Sequence, residues 1–190
     1  MAIFSSVFRN FPVLETRRFL LREVQLSDAA DLYMVFADDE VTRYYNLPTF
    51  TSIGQAEQLI SRMKQRFATQ KALRWAIARK EDGRVLGTCG YTEWWPYFYK
   101  ASVGYELGRP YWRQGVMSEV LSKILLFGFQ QMDLNRVEAL IMPGNVASER
   151  LVEKLGFVRE GLLREYGYWE GRFHDLEIFA ILRRDYHNMP

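Results

Sequence analysis

The sequence has few of the residues that build cross-links and metal centres. Its 190 residues include one cysteine, Cys89, and two histidines, His174 and His187. One cysteine excludes an internal disulfide and any cysteine-based zinc cluster, and two histidines argue against a histidine-rich site. We therefore expect no metal cofactor.

Long apolar runs are also missing. The longest stretch without a charged residue, 44–56, is interrupted by Asn46, Pro48 and Gly54. It is shorter than the roughly 20 apolar residues that a helix needs to span a bilayer. The first ten residues show no basic segment followed by an apolar core, so no signal peptide is predicted. We expect a cytoplasmic protein that makes no membrane contact.

The charge balance is nearly neutral. Lys and Arg number 25 against 23 Asp and Glu, a net charge of +2. This balance does not provide the basic stripe of a nucleic-acid-binding protein, so we expect no nucleic-acid partner. Hydrophobic residues make up 48% of the chain, which is typical of a folded globular protein. The length predicts a single domain over residues 1–190.

Hydrophobic periodicity predicts strands alternating with a few helices. Ser52 begins a capping-box pattern, and apolar residues then recur at helical spacing to about Thr69. A further helix starts at Gly115. The predicted strands are 19–24, 75–78, 85–94, 101–107, 136–142, 158–169 and 173–182, and a short helix covers 146–155. This order predicts a mixed α/β domain built on one sheet.

The segment 103–119 runs from a strand through a loop into a helix. The N-terminus of a helix has free backbone N–H groups and a partial positive charge, which suit phosphate oxygens. Gly115 lets a ligand approach the backbone, and Arg109 and Arg113 add positive charge. The same pattern also fits an ordinary strand-to-helix turn with solvated arginines.

A second segment, 145–157, strengthens the ligand-binding interpretation. It places Asn145 after a strand, then a short helix, then Leu-Gly-Phe. With the first segment, the opening residues 14–22 and the late Phe-His-Asp at 173–175, it resembles the GNAT superfamily of acetyl-coenzyme A dependent N-acetyltransferases. Within that superfamily it is similar to the RimJ and RimL group of ribosomal-protein N-terminal acetyltransferases. The resemblance covers about residues 14–186.

The resemblance implies a single domain with a central, mostly antiparallel sheet, flanked by helices, in which one strand pair splays apart. It implies that acetyl-CoA binds with its pantetheine arm in that gap and its pyrophosphate on the turn before the helix. The implied cofactor-binding residues are Leu107, Arg113, Gln114, Gly115, Val116, Met117, Ser118 and Asn145. Two of them depart from the family pattern. Arg113 replaces a usual glycine, and Met117 is bulkier than the usual Gly or Ala.

The resemblance also suggests catalytic residues. Many members carry a tyrosine acid where this chain has Val152, so the serine of Asn-x-x-Ser, Ser148, becomes the candidate proton donor. Ser148 could instead form a local hydrogen bond to the backbone, with no catalytic role. Asn145 could instead serve as a helix cap. A backbone N–H near Leu107 is the candidate donor to the carbonyl oxygen.

Glu106 is the candidate general base, because the attacking amine must lose a proton. Strand alternation places it on the opposite face from Tyr105 and Leu107, so its alternative is a solvated side chain. Glu93 and Glu165 are further candidates.

The predicted activity is acetyl transfer to a primary amine, by direct attack in a ternary complex. A protein N-terminal amine is one acceptor, and the alternatives are a small-molecule amine or antibiotic, or a coenzyme A binding module without catalysis. We expect a monomer or homodimer. The aromatic run 94–99, Trp-Trp-Pro-Tyr-Phe-Tyr, is predicted to lie beside the acceptor mouth, as an acceptor-binding wall or a dimer contact.

Overall fold

A computed structural model describes residues 7–186 and contains one eight-stranded sheet. The strands follow the order β1-β2-β3-β4-β5-β6-β8-β7 across the sheet. Their bounds are Leu14–Glu15 (β1), Phe19–Arg22 (β2), Leu73–Arg79 (β3), Val85–Trp95 (β4), Lys100–Leu107 (β5), Arg136–Ile141 (β6), Val158–Trp169 (β7) and Arg172–Leu182 (β8). The helices are Ala29–Phe36 (α1), Asp39–Thr42 (α2), Ile53–Ala68 (α3), Val116–Gln131 (α4), Val146–Lys154 (α5) and Arg183–Tyr186 (α6).

All neighbouring strands are antiparallel except β5 and β6. These two pair in parallel only from Lys100 opposite Arg136 to Val103 opposite Ala139. Beyond those residues β5 and β6 no longer pair with each other, although β5 stays paired with β4 and β6 with β8. The predicted mixed α/β fold with a splayed strand pair is therefore confirmed.

The sheet separates two clusters of buried apolar side chains. Helix α4 packs on one face, where Val120, Leu121 and Ile124 join Trp75 and Tyr91 in the larger cluster. Helices α1 and α3 cover part of the other face in the second cluster. No helix among residues 7–186 is both long and apolar enough to cross a membrane.

The predicted start of α3 is confirmed. Ser52 is the N-cap, and the Gln55 Oε1 atom accepts a hydrogen bond from the Ser52 backbone N–H at 3.1 Å. This reciprocal capping satisfies N–H groups that have no partner within the helix. The helix ends at Ala68, one residue before the predicted end.

The predicted strand 19–24 is too long, because β2 ends at Arg22. The Arg22 guanidinium binds both carboxylate oxygens of Asp28, at 2.7 and 2.8 Å. The same carboxylate accepts the Gln25 backbone N–H at 2.8 Å. These contacts turn the chain away from the sheet toward α1.

Candidate functional site

A cleft of about 710 Å³ opens where β5 and β6 diverge. Five parts of the fold border it: the end of β5, the turn before α4, the end of β6, the start of α5 and the region of α2. The lining residues include Glu40, Val41, Tyr44, Tyr45, Tyr105, Glu106, Leu107, Arg113, Gly115, Val116, Met117, Ser118, Ile141, Met142, Asn145 and Ser148. Ser148, Glu106 and seven of the eight predicted cofactor-binding residues line the cleft, whereas Gln114 does not.

The turn before α4 leaves the N-terminus of this helix open toward the cleft. Gly115 is the N-cap with φ of +70°, and no side chain caps the helix. Among the described residues, the backbone N–H groups of Val116, Met117 and Ser118 make no hydrogen bond. A Cβ at Gly115 would find space, but the left-handed backbone favours glycine.

Arg113 also adopts a left-handed conformation, with φ of +59°. This geometry explains why glycine is usual at the position, since a side chain there costs about 1–2 kcal/mol. The Arg113 side chain is exposed at the edge of the cleft. Met117 causes no comparable strain. Its side chain is 8% exposed and packs in the core, which leaves its backbone N–H as the group available at the turn.

Arg18 supports this turn, although Arg18 was not among the site residues predicted from the sequence. Its Nε donates to Glu119 Oε2 at 2.7 Å, and its Nη1 donates to the Gln114 carbonyl at 3.0 Å. Its backbone N–H donates to Glu119 Oε1 at 2.9 Å. Burial opposes ionisation of Glu119, but the hydrogen bonds and the charge of Arg18 outweigh burial and lower the Glu119 pKa. No local sequence signal links residues so far apart in the chain.

Asn145 and Ser148 lie at the start of α5, on the far wall of the cleft. Asn145 Oδ1 accepts the Ser148 backbone N–H at 3.3 Å, so the predicted cap is present. The Ser148 hydroxyl lies 2.5 Å from the Tyr105 hydroxyl. It is therefore bonded across the cleft and not to local backbone. Val152 is fully buried in the core and does not line the cleft.

Glu106 is buried, so the alternative of a solvated side chain is wrong. Its side chain lies on the opposite sheet face from Tyr105, yet it borders the same cleft. Oε2 forms an ion pair with Arg74 and accepts the Thr88 hydroxyl at 2.6 Å. Oε1 is buried and has no hydrogen-bond partner among the described residues.

Two other side chains surround this carboxylate. Burial alone lowers the pKa of Arg74, but the adjacent Glu106 carboxylate outweighs it and keeps the pKa raised. The Tyr45 hydroxyl lies close to Glu106. Burial, followed by the charge of Glu106, raises the Tyr45 pKa, so this phenol stays protonated. Arg74 and Tyr45 were not identified from the sequence.

Leu107 directs a backbone N–H toward the cleft. The Gly108 N–H bonds the Leu86 carbonyl at 2.9 Å, and antiparallel ladders alternate. Leu107, opposite Gly87, is therefore in a non-hydrogen-bonded position with its polar groups turned away from β4. Its carbonyl accepts a hydrogen bond from Trp112 Nε1 at 2.7 Å. Its N–H faces the gap between β5 and β6.

The aromatic run 94–99 does not lie beside the cleft, and that prediction is wrong. It forms the turn between β4 and β5, where Trp95 pairs with Lys100. The cleft is at the other end of β5, seven residues or roughly 23 Å away. None of these six residues lines the cleft, and neither do Glu93 and Glu165. Tyr97 and Phe98 are 81% and 74% exposed.

Comparison with known proteins identifies the family of this chain. Residues 18–158 match the sequence profile of the family described as Acetyltransferase (GNAT) domain. The chain belongs to the GNAT acetyltransferase family. It is accordingly an acyltransferase that takes acetyl-CoA as co-substrate and acetylates an amine.

One curated relative and two solved structures are similar to this chain. It is 38% identical to the uncharacterized N-acetyltransferase YoaA of Bacillus subtilis, over 91% of this chain and 98% of that protein. RimL, a ribosomal L7/L12 alpha-N-protein acetyltransferase solved with coenzyme A, superposes with a TM-score of 0.80 at 19% identity, covering 90% and 98%. The microcin C7 self immunity acetyltransferase MccE, solved with acetyl-CoA and AMP, gives 0.78 at 20% identity, covering 87% and 93%. The two structural likenesses are likenesses of fold.

Proposed function

We propose that this cleft binds acetyl-CoA, with the pyrophosphate at the turn 113–118 and the pantetheine arm between β5 and β6. The three free N–H groups at the start of α4 and the exposed Arg113 guanidinium match phosphate oxygens in charge and geometry. Ile141 and Met142 supply apolar surface on the opposite wall. Gln114 contributes through the turn, since its carbonyl is held by Arg18. The acetyltransferase domain then occupies the whole chain, 1–190.

The proposed reaction is direct attack of a neutral amine on the acetyl group. Acetyl-CoA supplies an acetyl group activated as a thioester. The Leu107 N–H donates to the carbonyl oxygen, where negative charge grows as the amine nitrogen bonds to carbon. Such a donor stabilises the transition state more than the ground state.

Ser148 is the proposed proton donor to sulfur. When the carbon–sulfur bond breaks, its electron pair goes to sulfur, and the Ser148 hydroxyl gives its proton to the developing thiolate. Water from the open cleft then restores the serine proton. The position that often carries a tyrosine acid is taken by Val152, which is in the core and has no proton to give.

Glu106 is the proposed acceptor of the proton that the amine loses. Oε2 is held by Arg74 and Thr88, which fixes the carboxylate, while Oε1 keeps its lone pairs free. A buried carboxylate oxygen without a partner is rare and costly, and a bound amine would satisfy it. Tyr45 lines the same space.

We propose that the acceptor is the N-terminal amine of a polypeptide. On the acceptor side the cleft is bordered by the α2 region through Glu40, Val41 and Tyr44. No residue of β7 or β8 lines it, so within the described chain this hairpin does not close the mouth. An open mouth suits an extended chain that continues away from its amine. A monomer or homodimer in the cytoplasm fits this function.

The observation that carries the proposal is a juxtaposition. The Leu107 N–H, the Ser148 hydroxyl and Glu106 border the same cleft as the uncapped N-terminus of α4. A helix end alone would indicate only anion binding, but the added donor, acid and base are the groups that acyl transfer requires.

Replacing Ser148 by alanine tests the mechanism. Ser148→Ala should lower kcat by about 10²-fold, the low end for general acid catalysis, and leave coenzyme A binding nearly unchanged. Free thiol release measures kcat, and calorimetry measures the dissociation constant. Ser122→Ala, whose hydroxyl bonds the Ser118 carbonyl on α4, is the matched control. Unchanged turnover in Ser148→Ala would remove this residue from the mechanism.

A further inference from the structure

One hydrogen bond crosses the splayed strands. The Tyr105 hydroxyl on β5 lies 2.5 Å from Ser148 Oγ at the start of α5, and both side chains line the cleft. The strands that carry these two walls have stopped pairing at Val103 and Ala139. The contact is therefore made by side chains alone, at the place where the sheet no longer sets the spacing.

We propose that Tyr105 is a positioning residue that orients the Ser148 hydroxyl toward the thioester sulfur. This inference rests on the proposed function, in which Ser148 protonates the leaving thiolate. Tyr105 acts through the serine and needs no contact with substrate.

The direction of the hydrogen bond decides what the pair can do. A serine hydroxyl has one proton and two lone pairs, and it rotates freely about its C–O bond. If Tyr105 donates to Oγ, a lone pair is occupied and the serine proton remains available for sulfur. The reverse direction would use the serine proton on Tyr105 and leave none for the leaving group.

The surroundings of Tyr105 favour this donor role. Burial, the largest effect, raises the Tyr105 pKa, so the phenol keeps its proton throughout the neutral range. Among the described residues, Ser148 is the one hydrogen-bond partner of its hydroxyl. When Ser148 passes its proton to sulfur, the negative charge left on Oγ strengthens the bond from Tyr105. Water then returns the proton to serine, and Tyr105 keeps its own.

The ring of Tyr105 packs against the core, so a phenylalanine keeps the packing and removes only the hydroxyl. Tyr105→Phe should lower kcat about tenfold, with little change in the coenzyme A dissociation constant. Tyr91→Phe is the matched control. Its hydroxyl also makes one buried hydrogen bond, to the Ile124 carbonyl at 2.8 Å, but it does not line the cleft.

The decisive experiment is a double-mutant cycle with Tyr105→Phe, Ser148→Ala and the double variant. We measure kcat by thiol release, the coenzyme A dissociation constant by calorimetry, and Tm for folding. If Tyr105 acts through Ser148, the double variant is no slower than Ser148→Ala alone. A merely structural tyrosine would lower activity by the same factor in both backgrounds.

Three results would overturn the inference while leaving the proposed function standing. They are an unchanged kcat in Tyr105→Phe, losses that multiply in the double variant, or a kcat loss equal to that of Tyr91→Phe. Absence of turnover by the unaltered protein with any amine would instead overturn the proposed function, and this inference with it.

Discussion

At the scale of single residues, Arg113 is notable because it is a charged residue in a backbone conformation that glycine adopts most easily. A left-handed residue is accommodated by glycine without strain, yet this chain places a long cationic side chain there. The guanidinium lies at the edge of the cleft, beside the open end of α4. A direct charge contact with the pyrophosphate would offset the conformational cost.

Two substitutions at this position separate charge from strain. Arg113→Ala and Arg113→Gly should both weaken coenzyme A binding, by about tenfold, because each removes a charge-assisted contact. Only Arg113→Gly should also raise the Tm of the free protein. Arg109→Ala is the control, since Arg109 pairs with Asp38 at 2.8 Å and does not line the cleft. If calorimetry finds that all three variants bind coenzyme A with the dissociation constant of the unaltered protein, Arg113 is merely solvated.

The residues that could be predicted from the sequence are those that belong to a short local motif. The strand, turn and helix order indicates Gly115, and the resemblance to the GNAT superfamily indicates Asn145 and Ser148 through the short Asn-x-x-Ser motif. Arg18 and Arg74 were missed because helix packing brings Arg18 to Glu119 and the sheet brings Arg74 to Glu106 from distant positions, and no spacing rule records such contacts.

At the scale of elements, the β1–β2 region holds the turn before α4 through Arg18. This contact contains an ionisable group, Glu119, whose pKa is lowered from the ordinary value of 4.5 in the folded protein. A lowered pKa means that the ionised form is stabilised by folding. That stabilisation is complete above the unfolded pKa and disappears as the pH falls through the folded pKa.

The stability of the unaltered protein relative to Glu119→Gln should therefore depend on pH. The difference in free energy of unfolding should be largest near neutrality and shrink as the pH falls below about 4.5. Urea unfolding at several pH values between 7 and 3 measures it, with Glu93→Gln as the control on an exposed ion pair. A difference that stays constant across this range would contradict the account.

The strands β3, β4 and β5 share a buried ion pair beneath the acceptor side of the cleft. Arg74→Met leaves the Glu106 carboxylate buried without its cation, and it should lower the free energy of unfolding by about 3–5 kcal/mol. The double variant Arg74→Met/Glu106→Leu should recover much of this loss because no charge remains buried. Denaturant unfolding compares them, and a double variant less stable than Arg74→Met alone would contradict this explanation.

At the scale of the whole molecule, the order of elements was predictable and the position of the aromatic run was not. Periodicity and turn signals located β2 to β8 to within a few residues, because each signal is local, but the two-residue strand β1 was not predicted. The run 94–99 leads into the amino end of β5, through the hairpin turn that joins β4 to β5. The cleft lies at the carboxyl end of β5. Tyr97 and Phe98 are therefore exposed away from the cleft, and a dimer contact there stays a prediction.

We propose above all that the cleft between β5 and β6 transfers an acetyl group from acetyl-CoA to the N-terminal amine of a polypeptide. The most direct measurement is thiol release from acetyl-CoA with matched peptides, one with a free N-terminal amine and one with that amine blocked, beside a panel of small amines. We predict release with the free peptide and none above background with the blocked one. Release with small amines alone would contradict the proposed acceptor, and no release with any amine would contradict the account as a whole.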